Sequence, residues 1–112
     1  MAKYAFFFSY TSDAWARMIS TPGDRTAAVR QVLDSVGGSL ECIYWMAGSF
    51  DGMAIADLPD TVSAAAVSMA VASTGSFARN QTHELLSQEE LGHALQQAKT
   101  VVQAFEAPGR QP

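Results

Sequence analysis

The 112-residue sequence predicts an α+β domain with a four-stranded antiparallel sheet. Three observations carry this. Four strand-like segments are separated by helical stretches or a hairpin turn. A strand–helix–Gly–Ser–strand order occurs over residues 3–47 and recurs over 51–86. A hairpin-like Gly48-Ser49-Phe50-Asp51-Gly52 joins the two halves.

The first strand is read over residues 3–11, where Tyr4, Phe6, Phe7, Phe8 and Tyr10 follow one another without Gly or Pro. Thr11, Ser12 and Asp13 are helix-capping types, and a short helical turn with Trp15, Met18 and Ile19 follows. Thr21-Pro22-Gly23 interrupts it. Asp24 then caps a second helical stretch whose apolar steps are Ala28, Val29, Val32, Leu33 and Val36. Gly37-Gly38 stops that helix. The second strand is read over 39–47 and the third over Met53–Leu58. Asp60, just after Pro59, caps a helix over 61–73 made almost wholly of small residues, which lets it lie close to a sheet. Ser76–Leu86 reads as the fourth strand. Ser87-Gln88-Glu89-Glu90 has the pattern of a capping box, opening a last helix with a stripe of Leu91, Ala94, Leu95, Ala98, Val101, Val102 and Phe105. One domain over 1–107 is expected, with a frayed, disordered tail at 108–112.

Two βαβ units joined by a hairpin make the split βαββαβ arrangement of the ferredoxin-like fold, here with an extra C-terminal helix. Its two crossover helices belong on one face of the sheet. The strands are apolar on both sides, however. The first sets Tyr4, Phe6, Phe8 and Tyr10 against Ala5 and Phe7, and the second sets Cys42, Tyr44 and Met46 against Ile43, Trp45 and Ala47. A sheet with one wet face alternates apolar with polar, so both faces are expected to be covered. A second copy's sheet would do this in a dimeric α+β barrel, or the C-terminal helix would do part of it. Composition points to association too. With 48% hydrophobic and 16% charged residues, a small monomer has much apolar surface to hide. A homodimer or higher homo-oligomer is therefore expected.

The formal charge is −4, from 7 basic and 11 acidic residues, with no extended basic run. That argues against nucleic acid and against an anionic membrane surface as partners. No apolar run approaches the roughly 20 residues of a membrane span. The start, Met1-Ala2-Lys3-Tyr4, lacks signal-peptide character, and Cys42 is the only cysteine. A cytoplasmic setting is the expectation. No metal site is evident from the spacing of His83, His93 and Cys42, and without a Walker loop or GxGxxG no cofactor is expected.

Few residues carry chemistry. His83 lies in the one polar strand, and by alternation shares a side with Arg79 and Gln81. Turned toward the sheet interior, it would be a general base with an adjustable pKa. On an exposed edge, the same polar residues would discourage aggregation. Asp51 fits either a turn or the mouth of a cavity. Tyr10, Tyr44 and Trp45 fit either a core or a ligand pocket. Cys42, with no basic neighbour, reads as a small hydrophobe.

The chain resembles the GYD domain family of small bacterial and archaeal proteins. The features that carry the resemblance are Ser9-Tyr10-Thr11 followed by Trp15, Pro22-Gly23-Asp24-Arg25, and Gly37-Gly38. They continue with Gly48-Ser49-Phe50-Asp51, the Ala-rich helix after Asp57-Leu58-Pro59-Asp60, and Leu85-Leu86-Ser87-Gln88-Glu89-Glu90. Phe50 stands where the name-giving turn has Tyr. The resemblance implies a ferredoxin-like, dimeric α+β-barrel type of fold and little about activity.

Three functions fit the sequence. The first is binding of a small apolar or aromatic molecule, with Tyr10, Trp45 and Arg79 as contacts. The second is a cofactor-independent isomerase, cyclase or monooxygenase, with His83 as base and Asp51 or Arg79 stabilising charge. The third is a structural or interaction module without a pocket. The fold class hosts several chemistries, so fold alone does not choose among them.

Overall fold

A computed structural model describes residues 1–109. The element order is β1 (Ala2–Tyr10), α1 (Ser12–Ser20), α2 (Arg25–Asp34), β2 (Ser39–Trp45), β3 (Gly52–Leu58), α3 (Thr61–Ser73), β4 (Phe77–Leu85) and α4 (Gln88–Ala104). The strands form one antiparallel sheet in the order β2-β3-β1-β4. This is the ferredoxin-like order, with β1 and β3 central. The expected tail runs, from Arg110 on, outside the described residues.

One face of the sheet carries the main core. Tyr4, Phe6, Phe8 and Tyr10 alternate along β1 and all are buried, as are Ala54, Ala56 and Leu58 of β3. Leu33 of α2 and Ala64 and Val67 of α3 close over Tyr4, Phe6, Ala56 and Leu58, while Ala14 of α1 packs with Phe8 and Tyr10. Burying a large apolar side chain stabilises the fold by about 1.5–3 kcal/mol, so β1 alone supplies a large part of the driving force. The small side chains of α3 and β3 make room for those rings. The Tyr4 hydroxyl keeps a polar partner by donating to Glu84 Oε1 at 3.0 Å.

Each helix begins on a side-chain cap. Thr11, Asp24 and Asp60 accept from the backbone N–H of Ala14, Ala27 and Ser63 respectively. At α4 the capping box is complete: Ser87 Oγ accepts from Glu90 N at 3.1 Å, and Glu90 Oε1 accepts from Ser87 N at 2.9 Å. Gly37 has φ of 75°, a left-handed stop that lets Gly38 N reach back to Leu33 O at 2.9 Å. Gly75 repeats that conformation with φ of 75°. The internal echo thus aligns Gly37-Gly38-Ser39 with Gly75-Ser76-Phe77, one position from the match of Gly38 with Gly75 read in the sequence. In each half a strand starts two residues after the left-handed glycine.

The second face of the sheet carries Lys3, Ala5, Phe7 and Ser9 of β1, Met53, Ile55 and Asp57 of β3, and Cys42 and Tyr44 of β2. A register shift between Leu40 and Cys42 sets the last two on this side. Lys3 Nζ bridges Glu41 at 2.6 Å and Asp57 at 3.1 Å, and these bonds hold its pKa above the ordinary lysine value. Toward the middle the face is apolar. No helix packs on it: Tyr44 remains 65% exposed, and α4 buries none of its side chains. The C-terminal helix therefore does not supply the cover considered in the sequence. It projects instead. The radius of gyration is 18.4 Å, against about 13 Å for a compact domain of this length. No helix among the described residues is long and apolar enough to cross a membrane.

Two outcomes follow. A Cβ on Gly38 would sit 2.5 Å from Leu58 Cδ2 and 2.7 Å from Asp57 O. Since the second of these is backbone, Gly38→Ala is expected to destabilise the domain by about 1–3 kcal/mol in urea unfolding; an unchanged midpoint would refute the close approach. Backbone hydrogen bonds from Ser63 and Ser87 lower the pKa values of Asp60 and Glu90. Folded-state pKa values below the unfolded ones give stability that is present above the unfolded values and lost as pH falls through the folded ones. Amide exchange at Ser63 and Ser87, corrected for intrinsic rates, should lose protection below about pH 4 before the β1 amides do.

Candidate functional site

A recess lies on the helix side, between the sheet, α2 and α3. It has a volume of ≈ 400 Å³ and is lined on the sheet by Phe6, Phe8, Tyr10 and Phe77, and on the helices by residues including Val29 and Val71. Its walls are apolar for a sequence reason. Even-numbered β1 positions point to α2 and α3, but beyond Leu33 the apolar residues those helices set against them are Ala and Val, smaller than a filled core would have. The gap between helix and sheet is left open.

Tyr10 organises one end of this recess. Its ring packs against Trp15 and Phe77, each with centroids 5.1 Å away, and against Phe8 at 5.6 Å. Its hydroxyl accepts a hydrogen bond from Trp45 Nε1 at 3.1 Å. The structure thus brings Tyr10 and Trp45 together. A register shift between Ser9 and Tyr10 sets Tyr10 opposite Phe77 and Ser9 opposite Arg79. This bulge turns Phe77 inward, onto the same side as Tyr10.

Asp51 lies at the same end of the sheet. Its carboxylate accepts from Tyr10 N at 2.9 Å, its own N–H donates to Phe8 O at 2.9 Å, and its carbonyl accepts from Met46 N at 2.8 Å. Both its backbone groups and its side chain are engaged in extending the ladder beyond Gly52. It does not line the recess.

Arg79 and His83 lie on the other side of the sheet. They pair with Ser9 and Ala5, with Gln81 opposite Phe7 between them. Their common side is therefore the face without helices, and β4 is an edge strand. The Arg79 guanidinium stacks 4.0 Å from the Phe50 ring centroid and also donates to Ser49 O. Phe50 packs on Phe7 at 5.7 Å, and His83 meets Phe7 edge-on at 5.9 Å. His83 Nε2 is 3.1 Å from Gln81 Oε1. Along β1, the partners of His83 and Asp51 are Ala5 and Tyr10, roughly 17 Å apart. The fold does not bring His83 and Asp51 to one site.

Sequence reading passed over Arg17, Arg25 and Ser76. A second recess of ≈ 440 Å³ is lined by Arg17, Arg25, Ser76, Met18 and Thr21, and it shares Tyr10, Arg25, Ser76 and Phe77 with the first. Nothing local marks these residues. They belong to α1, α2 and the α3–β4 turn, and only the tertiary fold joins them. Among the described residues, no group of three His, Cys, Asp or Glu side chains is placed to hold a metal ion.

The sheet order, the glycine stops and the Phe50 turn can now be set beside known proteins. The model of the GYD domain matches residues 4–95, running from β1 into the first half of α4. Neither a curated protein nor a solved structure matches the chain. With most of its length covered by that one model, the chain belongs to the GYD domain family.

Proposed function

We propose that this GYD-domain protein binds a small apolar or aromatic molecule in the recess between the sheet and helices α2 and α3. The observation that carries the reading is the recess itself. It has ≈ 400 Å³ of space walled by Phe6, Phe8, Tyr10, Phe77, Val29 and Val71. Ligand sites are typically concave, mostly apolar and of about 300–1,000 Å³. A well-packed core leaves few voids larger than a water molecule. Tyr10 and Trp45 serve this site together, Tyr10 on the wall and Trp45 fixing its hydroxyl. Arg79 and His83 lie across the sheet and serve a different surface.

That surface supports the second part of the proposal, a homodimer. The middle of the open face presents Phe7, Ile55, Met53, Cys42 and Tyr44, and α4 exposes Leu91, Leu95, Val101, Val102 and Phe105. Two separate apolar surfaces on one small chain exceed what a soluble monomer ordinarily leaves to water. A second copy offers a matching pair. Its sheet packs on the open face, as in a dimeric α+β barrel, and its body receives the projecting α4. The recess opens on the opposite side of the sheet, so ligand and partner do not compete.

The two parts are tested apart. Nile red, a neutral apolar dye, is expected to bind saturably at one site per chain. Val71→Trp, which fills the half-exposed mouth, should abolish binding while the far-ultraviolet circular dichroism stays unchanged. Dye that binds Val71→Trp as well as wild type would place the site elsewhere. In sedimentation equilibrium the protein is expected at twice 12.0 kDa, and Ile55→Lys, a charge in the middle of the open face, at the monomer mass. A wild-type monomer at all concentrations would overturn the dimer.

A further inference from the structure

We propose that the ligand of this recess is an anionic amphiphile, a carboxylate on an aromatic or short alkyl body, with its charged head held by Arg17 and Arg25. The inference rests on the recess being a binding site and adds the chemistry of its occupant.

The inner and outer recesses meet at Tyr10, Arg25, Ser76 and Phe77. A molecule lying through that junction has its body among aromatic rings and its end beside two guanidinium groups. No Asp or Glu lines either recess. In a chain of net charge −4, that is a local reversal of sign. Neither arginine has a carboxylate partner among the described residues. Arg17 Nη2 donates only to Ser76 Oγ, at 3.3 Å. Arg25 Nε is enclosed with no acceptor at all. An enclosed donor without a partner is costly, and the cost is greater on a charged group. A carboxylate accepts from a guanidinium through two parallel N–H bonds, a geometry that a lysine cannot offer. Ser76 adds a hydroxyl beside the same position.

The arrangement also orders the ligand. The outer side sets Ala14 and Met18 beside Arg17, Ser20 and Thr21, and the larger apolar wall, with Phe6 and Phe8, is on the inner side. Arg25 borders both sides, but Arg17 lines only the outer one. The head is therefore expected outward, against α1 and the start of α2, with the body toward Val67 and Leu33.

The test uses a matched pair of probes, 2-naphthoate and its neutral amide, titrated calorimetrically into the full-length protein at low and high salt. Wild type is expected to bind the acid at least about tenfold more tightly, as one charge-assisted hydrogen-bonded pair provides. Added salt should narrow the gap. Arg25→Met should bring the acid down to the amide and leave the amide unchanged. Arg17→Met gives a second reading should Arg25→Met fold poorly, and Arg25→Lys should keep only part of the preference. Equal binding of acid and amide by wild type, or a preference that survives both methionine variants, overturns the anionic head group and leaves the apolar recess standing. Loss of both probes together with loss of Nile red binding overturns the recess, and this assignment with it.

Discussion

Everything in this fold depends on the packing of one strand's aromatic side against two small-residue surfaces. Tyr4, Phe6, Phe8 and Tyr10 occupy alternate positions of a central strand, so four large rings lie in a row on one face. Rings of this size need neighbours that give way. Ala54 and Ala56 on β3 and Ala64 on α3 provide that, and the fully buried Leu58 closes the row near Tyr4. At the Tyr4 end the fit is tight, with Leu33, Val67 and Ala64 closing over it. Toward Tyr10 the rings become the wall of a recess. One row of side chains thus serves as core at one end and as the wall of the proposed binding recess at the other.

The glycines and caps hold this geometry in place. Gly38 is needed because β3 backbone and Leu58 lie where a side chain would be. Gly52 is needed because the Phe8 ring fills the equivalent space. Asp51 then ties β1 to the β2–β3 hairpin through its backbone and carboxylate together. The turn around Phe50 gains a further tie from Arg79, which crosses from the edge strand to stack on that ring and reach Ser49. With Phe at this position, the turn is anchored by the Arg79 stack and by hydrogen bonds to Ser49 O from Arg79 and the Ser9 hydroxyl.

Much of the architecture was legible in the residues because it is encoded locally. Alternation in β1, the Asp60 cap, the Ser87–Glu90 box and the glycine stops are all read over a few consecutive positions, and strand ends differ by only a residue or two. Thr11, read both as the end of the first strand and among the capping residues, takes the capping role at α1. Alternation grouped Arg79, Gln81 and His83 correctly but left open which face they take, because that depends on pairing with β1. The site was less legible. Asp51 and Tyr10 are joined by a contact across the sheet, and Arg17, Arg25 and Ser76 meet only after three elements have docked. The Ser9–Tyr10 bulge, which sets Phe77 beside Tyr10, has no signature in the sequence.

The projecting α4 has a consequence for how order is distributed in the molecule. Its 17 residues gain a good start from the capping box, but none of them is buried among the described residues. Isolated helices of about 12–15 residues are marginal in water, and only somewhat longer ones persist. The helix is therefore poised near its own melting point while the sheet is not. Whatever covers its apolar stripe also supplies the missing stability, so docking and ordering of this arm are one equilibrium. In the proposed homodimer its helicity would depend on protein concentration, and dilution alone would soften one end of the molecule while leaving the other intact.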